Sequence, residues 1–172
     1  MSESEKPSNE LTLGDVLRIL TYYNYTNDCC IIPTLPKASV KRSDGRIEHN
    51  WQLIACNSTN KKVVVWNNQA GKKTIPYSDF FQLNNSINLP PSPEISQTKI
   101  NRIAGNVAIS AMHLMRREDD LNNILLPKLY SLLLNELRNF PLFPAKDAKE
   151  IIELIKMHIV SELIFGRNPL NN

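Results

Sequence analysis

Apolar residues follow two different periods in the two halves of the chain. Before residue 84 they alternate with polar residues or form short β-branched runs, as at residues 63–65, which is typical of β-strands. After residue 97 they recur every three or four positions, which is typical of amphipathic helices. The sequence therefore predicts an α+β protein in which a β-rich half precedes a helical half.

The segment between the two periods, residues 84–97, contains Pro90, Pro91 and Pro93. Proline fixes φ and has no N–H to donate, and it forces the preceding residue away from the helical region. Because neither a helix nor a central strand continues through such a segment, we predict a proline-rich hinge here. The predicted organisation is a disordered tail at residues 1–9, a helix plus small β domain at 10–83 and a helical region at 98–168.

The β-rich half is expected to begin with a helix whose first turn is closed by a capping box between Thr12 and Asp15. A turn at Asp44 and Gly45 would join two strands in a hairpin, and Pro76 indicates that the last strand lies at a sheet edge. Strands are expected at residues 29–32, 51–56, 62–66 and 73–77, and a single helical turn at 78–83. This order resembles small SH3-like or Tudor-like barrels, and the resemblance implies a small antiparallel β-sheet or barrel.

The helical half is expected to contain three helices, at about residues 98–115, 126–139 and 145–165. The middle helix is apolar around most of its circumference. Leucines at every fourth position from Leu129 share one face, whereas Leu132 and Leu134 lie on either side of it. If other helices cover that face, an apolar edge remains for protein binding, with Leu132, Leu134 and Tyr130 as candidate residues. The alternative is that the first helix or the sheet covers this edge.

Net charge is small, but its distribution favours the β-rich half as the place for an anionic partner. The chain has 20 basic and 17 acidic residues, so its formal net charge is +3. Residues 11–89 carry nine Lys and Arg against five Asp and Glu, whereas residues 90–172 carry ten against nine. Any electrostatic partner is therefore expected to meet the β-rich half first.

Lysines cluster in the turns beside the strand expected at residues 62–66. Basic loops that are interleaved with aromatic residues hold phosphates and stack bases, so they form a candidate nucleic-acid-binding site. The other interpretation is that the lysines protect strand edges from pairing with other chains. The candidate nucleic-acid-binding residues are Lys61, Lys62, Lys72, Lys73 and Trp66.

Candidate residues for catalysis or metal binding are sparse. The three cysteines lack C-x-x-C spacing, and their odd number argues against a disulfide scaffold. The sequence has no glycine-rich phosphate loop and no G-x-S-x-G nucleophile motif, and no local pattern supports a thiol–imidazole pair. We therefore expect no metal, no cofactor and no enzymatic activity. The residues considered are Cys29, Cys30, Cys56, His49, His113 and His158.

The first ten residues are polar and acidic, unlike a signal or transit peptide, and no apolar run approaches about 18 residues. Reduced thiols would suit a reducing compartment, so we expect a cytoplasmic, intracellular protein that does not contact membranes. The leading hypothesis is a non-enzymatic interaction protein, an adaptor or assembly subunit, whose helical region binds another protein or a second copy. The alternative is a nucleic-acid-binding protein that uses the basic loops of the β-rich half, and an enzyme ranks third.

Overall fold

The computed structural model describes residues 11–21, 29–114 and 126–165. Within these ranges, five helices and a six-stranded antiparallel sheet confirm the predicted α+β class. The predicted tail at residues 1–9 lies outside the described residues. The elements are α1 (Leu13–Thr21), β1 (Cys29–Ile31), β2 (Lys37–Lys41), β3 (Ile47–Asn57), β4 (Lys62–Asn67), β5 (Gly71–Pro76), α2 (Tyr77–Leu83), α3 (Gln97–Leu114), α4 (Leu126–Leu137), β6 (Phe143–Pro144) and α5 (Ala145–Phe165).

Strand β3 is the longest strand and connects the two parts of the sheet. One edge of β3 pairs with β4, which in turn pairs with β5. The other edge pairs first with β2, where Lys41 lies opposite Ile47, and then with β1, where Cys29 lies opposite Asn57. β1 and β2 therefore occupy consecutive stretches of the same edge. The loop between them includes Leu35, whose φ of 47° is in the left-handed region.

The short strand β6 extends the sheet beyond β1 and is absent from the elements expected from the sequence. Its two residues pair antiparallel with β1, so that Pro144 lies opposite Cys30 and Phe143 opposite Ile31. A strand of two residues, one of which is a proline, gives no alternating pattern, which explains why the sequence did not indicate it. This pairing attaches the chain just before α5 directly to the sheet.

The predicted SH3-like barrel is not closed, which corrects the expectation from the sequence. Closure would require β2 to pair with β5, but among the described strands β5 pairs only with β4 and β2 only with β3. Two features oppose that pairing. Pro76 in β5 has no N–H to donate, and the side chain of Asn84 already bonds the backbone of Ser39 in β2.

Each face of the sheet carries its own buried cluster. On one face, α1, α3, α4 and α5 cover sheet residues that include Ile54, Ala55 and Val64, and we call this the helix-side cluster. On the opposite face, Leu53 and residues around it form the groove-side cluster, which also contains Phe80 of α2. The pairing register of β3 shifts between Leu53 and Ala55, and this bulge lets both Ile54 and Ala55 face the helices.

The N-terminal helix α1 is anchored at both its cap and its packed face. The Asp15 N–H donates to Thr12 Oγ1 and the Thr12 N–H donates to Asp15 Oδ2, both at 3.1 Å, so the predicted capping box is present. Gly14 faces the ring of Tyr130 in α4, and a Cβ at Gly14 would lie 3.0 Å from that ring. The absence of a side chain at Gly14 therefore allows α1 to approach α4 closely.

The proline-rich segment lies against both clusters. Ile87 and Leu89 contact the groove-side cluster, and Ile95 contacts the helix-side cluster. The Cys30 thiol donates a hydrogen bond of 3.4 Å to Ser92 Oγ. Because the helix-side cluster contains residues from both sides of this segment, the two halves share a core. That residues 84–97 separate two units able to fold independently stays a prediction.

Among the described helices, none combines the length and apolar character needed to cross a bilayer.

Candidate functional site

A groove of about 440 Å³ lies between the two edge strands that leave the barrel open. Strand β2 and the turn after it form one wall, β5 forms the other, and α2 closes one side. Ligand-binding cavities in proteins commonly have volumes of about 300–1,000 Å³, so this groove has the size of a binding site. It is our candidate functional site.

Backbone hydrogen bonds alternate between the two edges of a strand, and this alternation determines which backbone groups of β5 face the groove. The Tyr77 N–H donates to the Lys61 carbonyl at 2.9 Å, where β5 passes into α2. Because alternate residues of an antiparallel strand bond to the same neighbour, Ile75 and Lys73 bond to β4. The backbone of Thr74 then faces away from β4, toward the groove. Pro76 occupies an outward position as well, but it can offer only its carbonyl group.

The same alternation of hydrogen bonds identifies the N–H and carbonyl groups of β2 that face the groove. The Arg42 N–H donates to the Arg46 carbonyl at 2.7 Å, so Val40 bonds to β3 and the neighbouring residues face outward. Ser39 is one of these outward residues, and its N–H and carbonyl both bond to Asn84. Lys41 is the other, and its carbonyl accepts a 3.3 Å hydrogen bond from Lys73 Nζ across the groove.

Asn84 holds one end of the groove together through its side-chain amide. Its Oδ1 accepts from the Ser39 N–H at 2.8 Å, and its Nδ2 donates to the Ser39 carbonyl at 2.9 Å. The same Nδ2 donates to the Phe80 carbonyl at 2.9 Å, and Asn84 is also the C-cap residue of α2. The side chain thus imitates a strand residue beside β2 and fixes the end of α2 against the sheet.

The floor of the groove is apolar. Val40 and Phe80 are buried beneath it, whereas Ile75 and Leu83 are half-buried at its surface. Ile47 lines the groove with 45 % of its surface exposed, which makes it one of the few large apolar side chains so exposed in the described part of the chain. An apolar floor with exposed side chains can accept apolar groups of a ligand.

The rim of the groove is mainly basic. The charged residues that line it are Lys41, Arg42 and Lys73, against the single carboxylate of Asp79. Arg42 also forms exposed ion pairs with two acids just outside the groove, at 3.4 Å to Asp44 and 3.5 Å to Glu48. Exposed pairs of this kind contribute little and exchange readily. The residues that line the groove therefore carry three positive charges against one negative charge, and the two acids beside it partly offset Arg42.

The lysines predicted to bind nucleic acid lie on both faces of the β4–β5 hairpin. Lys62 lies opposite Pro76 at one end of the β4–β5 hairpin, and Lys72 lies opposite Trp66 about 13 Å away along the strand. Adjacent residues of a strand point to opposite faces, so Lys72 and Lys73 diverge as well. Of the predicted residues, only Lys73 lines the groove. Its basic neighbours there are Lys41 at the end of β2 and Arg42 in the following turn, which are not among the five candidate nucleic-acid-binding residues.

The predicted protein-binding edge on α4 is partly buried. Leu134 is only 7 % exposed and belongs to the helix-side cluster, whereas Leu132 and Tyr130 are half-buried against that cluster. A hollow beside Tyr130 measures only about 10 Å³, which is too small for a ligand group. The binding role of these residues stays a prediction, and Leu132 is the leucine of the pair that retains an exposed surface.

The three cysteines are buried, and burial holds Cys29 and Cys56 in their neutral form. Burial, with a smaller contribution from the neighbouring Cys30, raises the pKa of the Cys29 thiol to about 11. The same two causes raise the pKa of the Cys56 thiol to about 12. His49 is exposed, and its Nδ1 forms a 2.8 Å hydrogen bond with Ser39 Oγ. Along β3, His49 lies about 23 Å from Cys56. Cys29 and Cys56 are thus not activated thiols, and no group of three potential metal ligands occurs among the described residues.

The pair of Ser39 and His49 is the arrangement closest to a catalytic dyad near the groove. No other described side chain bonds the second ring nitrogen of His49, and the Ser39 N–H is already bonded to Asn84. A serine nucleophile needs an oriented base and free N–H donors for the developing oxyanion. Within the described part of the chain, no side chain therefore orients His49 as this chemistry requires.

Comparison with family models, curated proteins and solved structures finds no match to this chain. The function has to be inferred from the groove itself.

Proposed function

We propose that this protein is a non-enzymatic interaction protein that binds an extended, acidic peptide segment of a partner in the groove between β2 and β5. The observation that carries the proposal is the juxtaposition of two sheet edges across a groove with an apolar floor and a basic rim. Sheet edges bind extended peptides through main-chain hydrogen bonds, and pockets for alternate side chains supply specificity.

The apolar floor favours a peptide over a small polar ligand. Exposed Ile47 and half-buried Ile75 stand along the groove, and α2 limits its depth. Covering these side chains with an apolar residue of the ligand would remove their surface from water, which is the main favourable contribution in most protein associations. The elongated space between two strands suits a chain better than a compact molecule.

The charge of the rim favours an acidic ligand. Three basic side chains and one carboxylate line the groove, so an acidic peptide would gain attraction both on approach and when bound. We therefore propose the groove as the binding surface in place of the helical region that the sequence favoured. In that region Leu134 is buried, and only part of the α4 edge is accessible.

The proposal is tested by panning phage-displayed random peptides against the full chain and measuring the binding of recovered synthetic peptides by fluorescence anisotropy. We expect the recovered peptides to be rich in Asp, Glu and apolar residues. Lys73→Glu should weaken their binding about tenfold or more. The matched control is Arg102→Glu, which reverses an exposed charge on α3 and should leave binding unchanged. Recovery of no peptide, or equal losses in both variants, would overturn the proposal.

The nucleic-acid-binding alternative is an outcome of the same experiment. A labelled single-stranded oligonucleotide replaces the peptide, and salt is titrated. Phosphate contacts release counterions, so affinity for the oligonucleotide would fall steeply with salt concentration. Tight, salt-sensitive oligonucleotide binding that Lys61→Glu and Lys72→Glu abolish, without any peptide recovery, would support the alternative and reject the peptide groove.

A further inference from the structure

We infer that the peptide adds to the sheet as a strand between β2 and β5, antiparallel to β5, and that it carries an apolar residue followed two positions later by an acidic one. This inference rests on the proposed function and specifies how the same groove recognises its ligand. Three observations carry it, namely the width of the groove, the direction of its two walls and the side chains of β5 that face it.

The hydrogen bond from Lys73 to Lys41 sets an upper limit on the width of the groove. A lysine side chain reaches at most about 6 Å from Cα to Nζ, so the 3.3 Å bond from Lys73 to the Lys41 carbonyl limits the gap to about 10 Å. Directly paired strands lie about 4.8 Å apart, and one strand inserted between two others needs two such spacings, or about 10 Å. This limit is compatible with one added strand, which would displace the Lys73 side chain from the Lys41 carbonyl.

The directions of the walls decide the orientation of the added strand. Each successive pair from β2 through β3 and β4 to β5 is antiparallel, so β2 and β5 run antiparallel to each other. A single strand between them can be antiparallel to only one. On β2, Asn84 already bonds Ser39 and Lys73 bonds Lys41. Since antiparallel pairing is slightly more stable, β5 with its outward Thr74 backbone is the better antiparallel partner.

The groove-facing side chains of β5 then define the ligand sequence. Ile75 and Lys73 both line the groove and flank Thr74, whose backbone would exchange hydrogen bonds with the peptide. Residues opposite Ile75 and Lys73 would form close side-chain pairs, for which apolar and acidic partners are favourable. Because the peptide runs antiparallel, the residue opposite Ile75 precedes the residue opposite Lys73 by two positions. The expected motif is apolar, any residue, then Asp or Glu.

The orientation is tested with two synthetic peptides that have the same composition. Both are short, acetylated and amidated, and both have a Ser-rich host sequence, with Val-Thr-Glu at the centre of one and Glu-Thr-Val at the centre of the other. Binding to the full chain is followed by amide chemical shifts and by amide hydrogen exchange. We expect the Val-Thr-Glu peptide to bind about tenfold more tightly than its isomer and to slow exchange at the Thr74 amide. Equal binding of the two peptides would overturn the motif.

The strand pairing is tested by Thr74→Pro, which removes the outward N–H without removing a bond to β4, and by the control Thr74→Val, which keeps it. We expect about tenfold weaker peptide binding in the first variant and unchanged binding in the second. If Thr74→Pro does not fold, the strand pairing is tested instead by whether the bound peptide protects the Thr74 amide of the unmodified protein from hydrogen exchange. Peptide binding that Lys73→Glu weakens, but that leaves this amide unprotected, would overturn strand addition and leave the proposed function intact. Absence of peptide binding altogether would instead overturn the proposed function.

Discussion

Replacement of Asn84 by alanine is expected to destabilise the protein far more than a loop position after a short helix normally would. The side chain is 7 % exposed and makes three hydrogen bonds, two to Ser39 and one to Phe80. Each bond contributes about 1 kcal/mol net, and a buried group left without a partner costs about 1–3 kcal/mol. The loss of all three gives an expected decrease of about 3 kcal/mol in the free energy of unfolding.

Thermal unfolding followed by circular dichroism measures this effect. In a protein of this size, about 1 kcal/mol lowers Tm by roughly 2–4 °C, so Asn84→Ala should lower Tm by about 6–12 °C. The neighbouring Asn85 is exposed, and Asn85→Ala is the matched control with an expected change within about 0.5 kcal/mol. Asn84→Asp should be at least as harmful as Asn84→Ala, because its carboxylate would face two carbonyl oxygens. Equal Tm values for the two alanine variants would refute the clamp between α2 and β2.

Three further outcomes are expected. Cys29 and Cys56 keep their protons in the folded state above pH 9, where unfolded thiols ionise. The free energy of unfolding should therefore fall with rising pH between about 9 and 11, by up to about 1.4 kcal/mol per pH unit for each thiol. Urea titrations should show a shallower fall for the variant with alanine at both positions. Leu134→Ala should cost about 2–4 kcal/mol and Leu132→Ala clearly less, since only the former side chain is fully in the core; the reverse order in urea denaturation would contradict this packing. Limited proteolysis should spare residues 84–97 until global unfolding, and early cleavage there would instead support the predicted hinge.

Local patterns in the sequence were sufficient to identify several elements. The capping box between Thr12 and Asp15 forms as expected, because both partners lie within one helical turn. Gly45 adopts a φ of 91° in the turn between β2 and β3, where its N–H donates to the Arg42 carbonyl, as the hairpin prediction requires. These features depend on neighbours in sequence, which is why periodicity and turn chemistry reveal them.

The groove depends on contacts between residues far apart in sequence and was therefore not predicted. Asn84 bonds to Ser39, 45 residues earlier, and an asparagine after a helix ordinarily indicates only a helix end. The separation of Lys72 from Lys73, in contrast, is predictable from the sequence, because adjacent residues in a strand point to opposite faces. For the strand expected at residues 73–77, that rule alone is enough to divide the lysine cluster between two faces of the sheet.

The pairing of β6 with β1 has a consequence for the way this chain acquires its fold. Pro144 lies opposite Cys30, so a neighbour of β1 in the sheet is synthesised 114 residues later. At about 5–20 residues per second, a ribosome needs on the order of ten seconds to provide it. During that interval the β1 edge and the sheet face later covered by α5 are exposed, and long-range pairings of this kind also form slowly. Nascent chains should therefore depend on chaperones until α5 has emerged, and truncation before residue 143 should yield aggregation-prone protein.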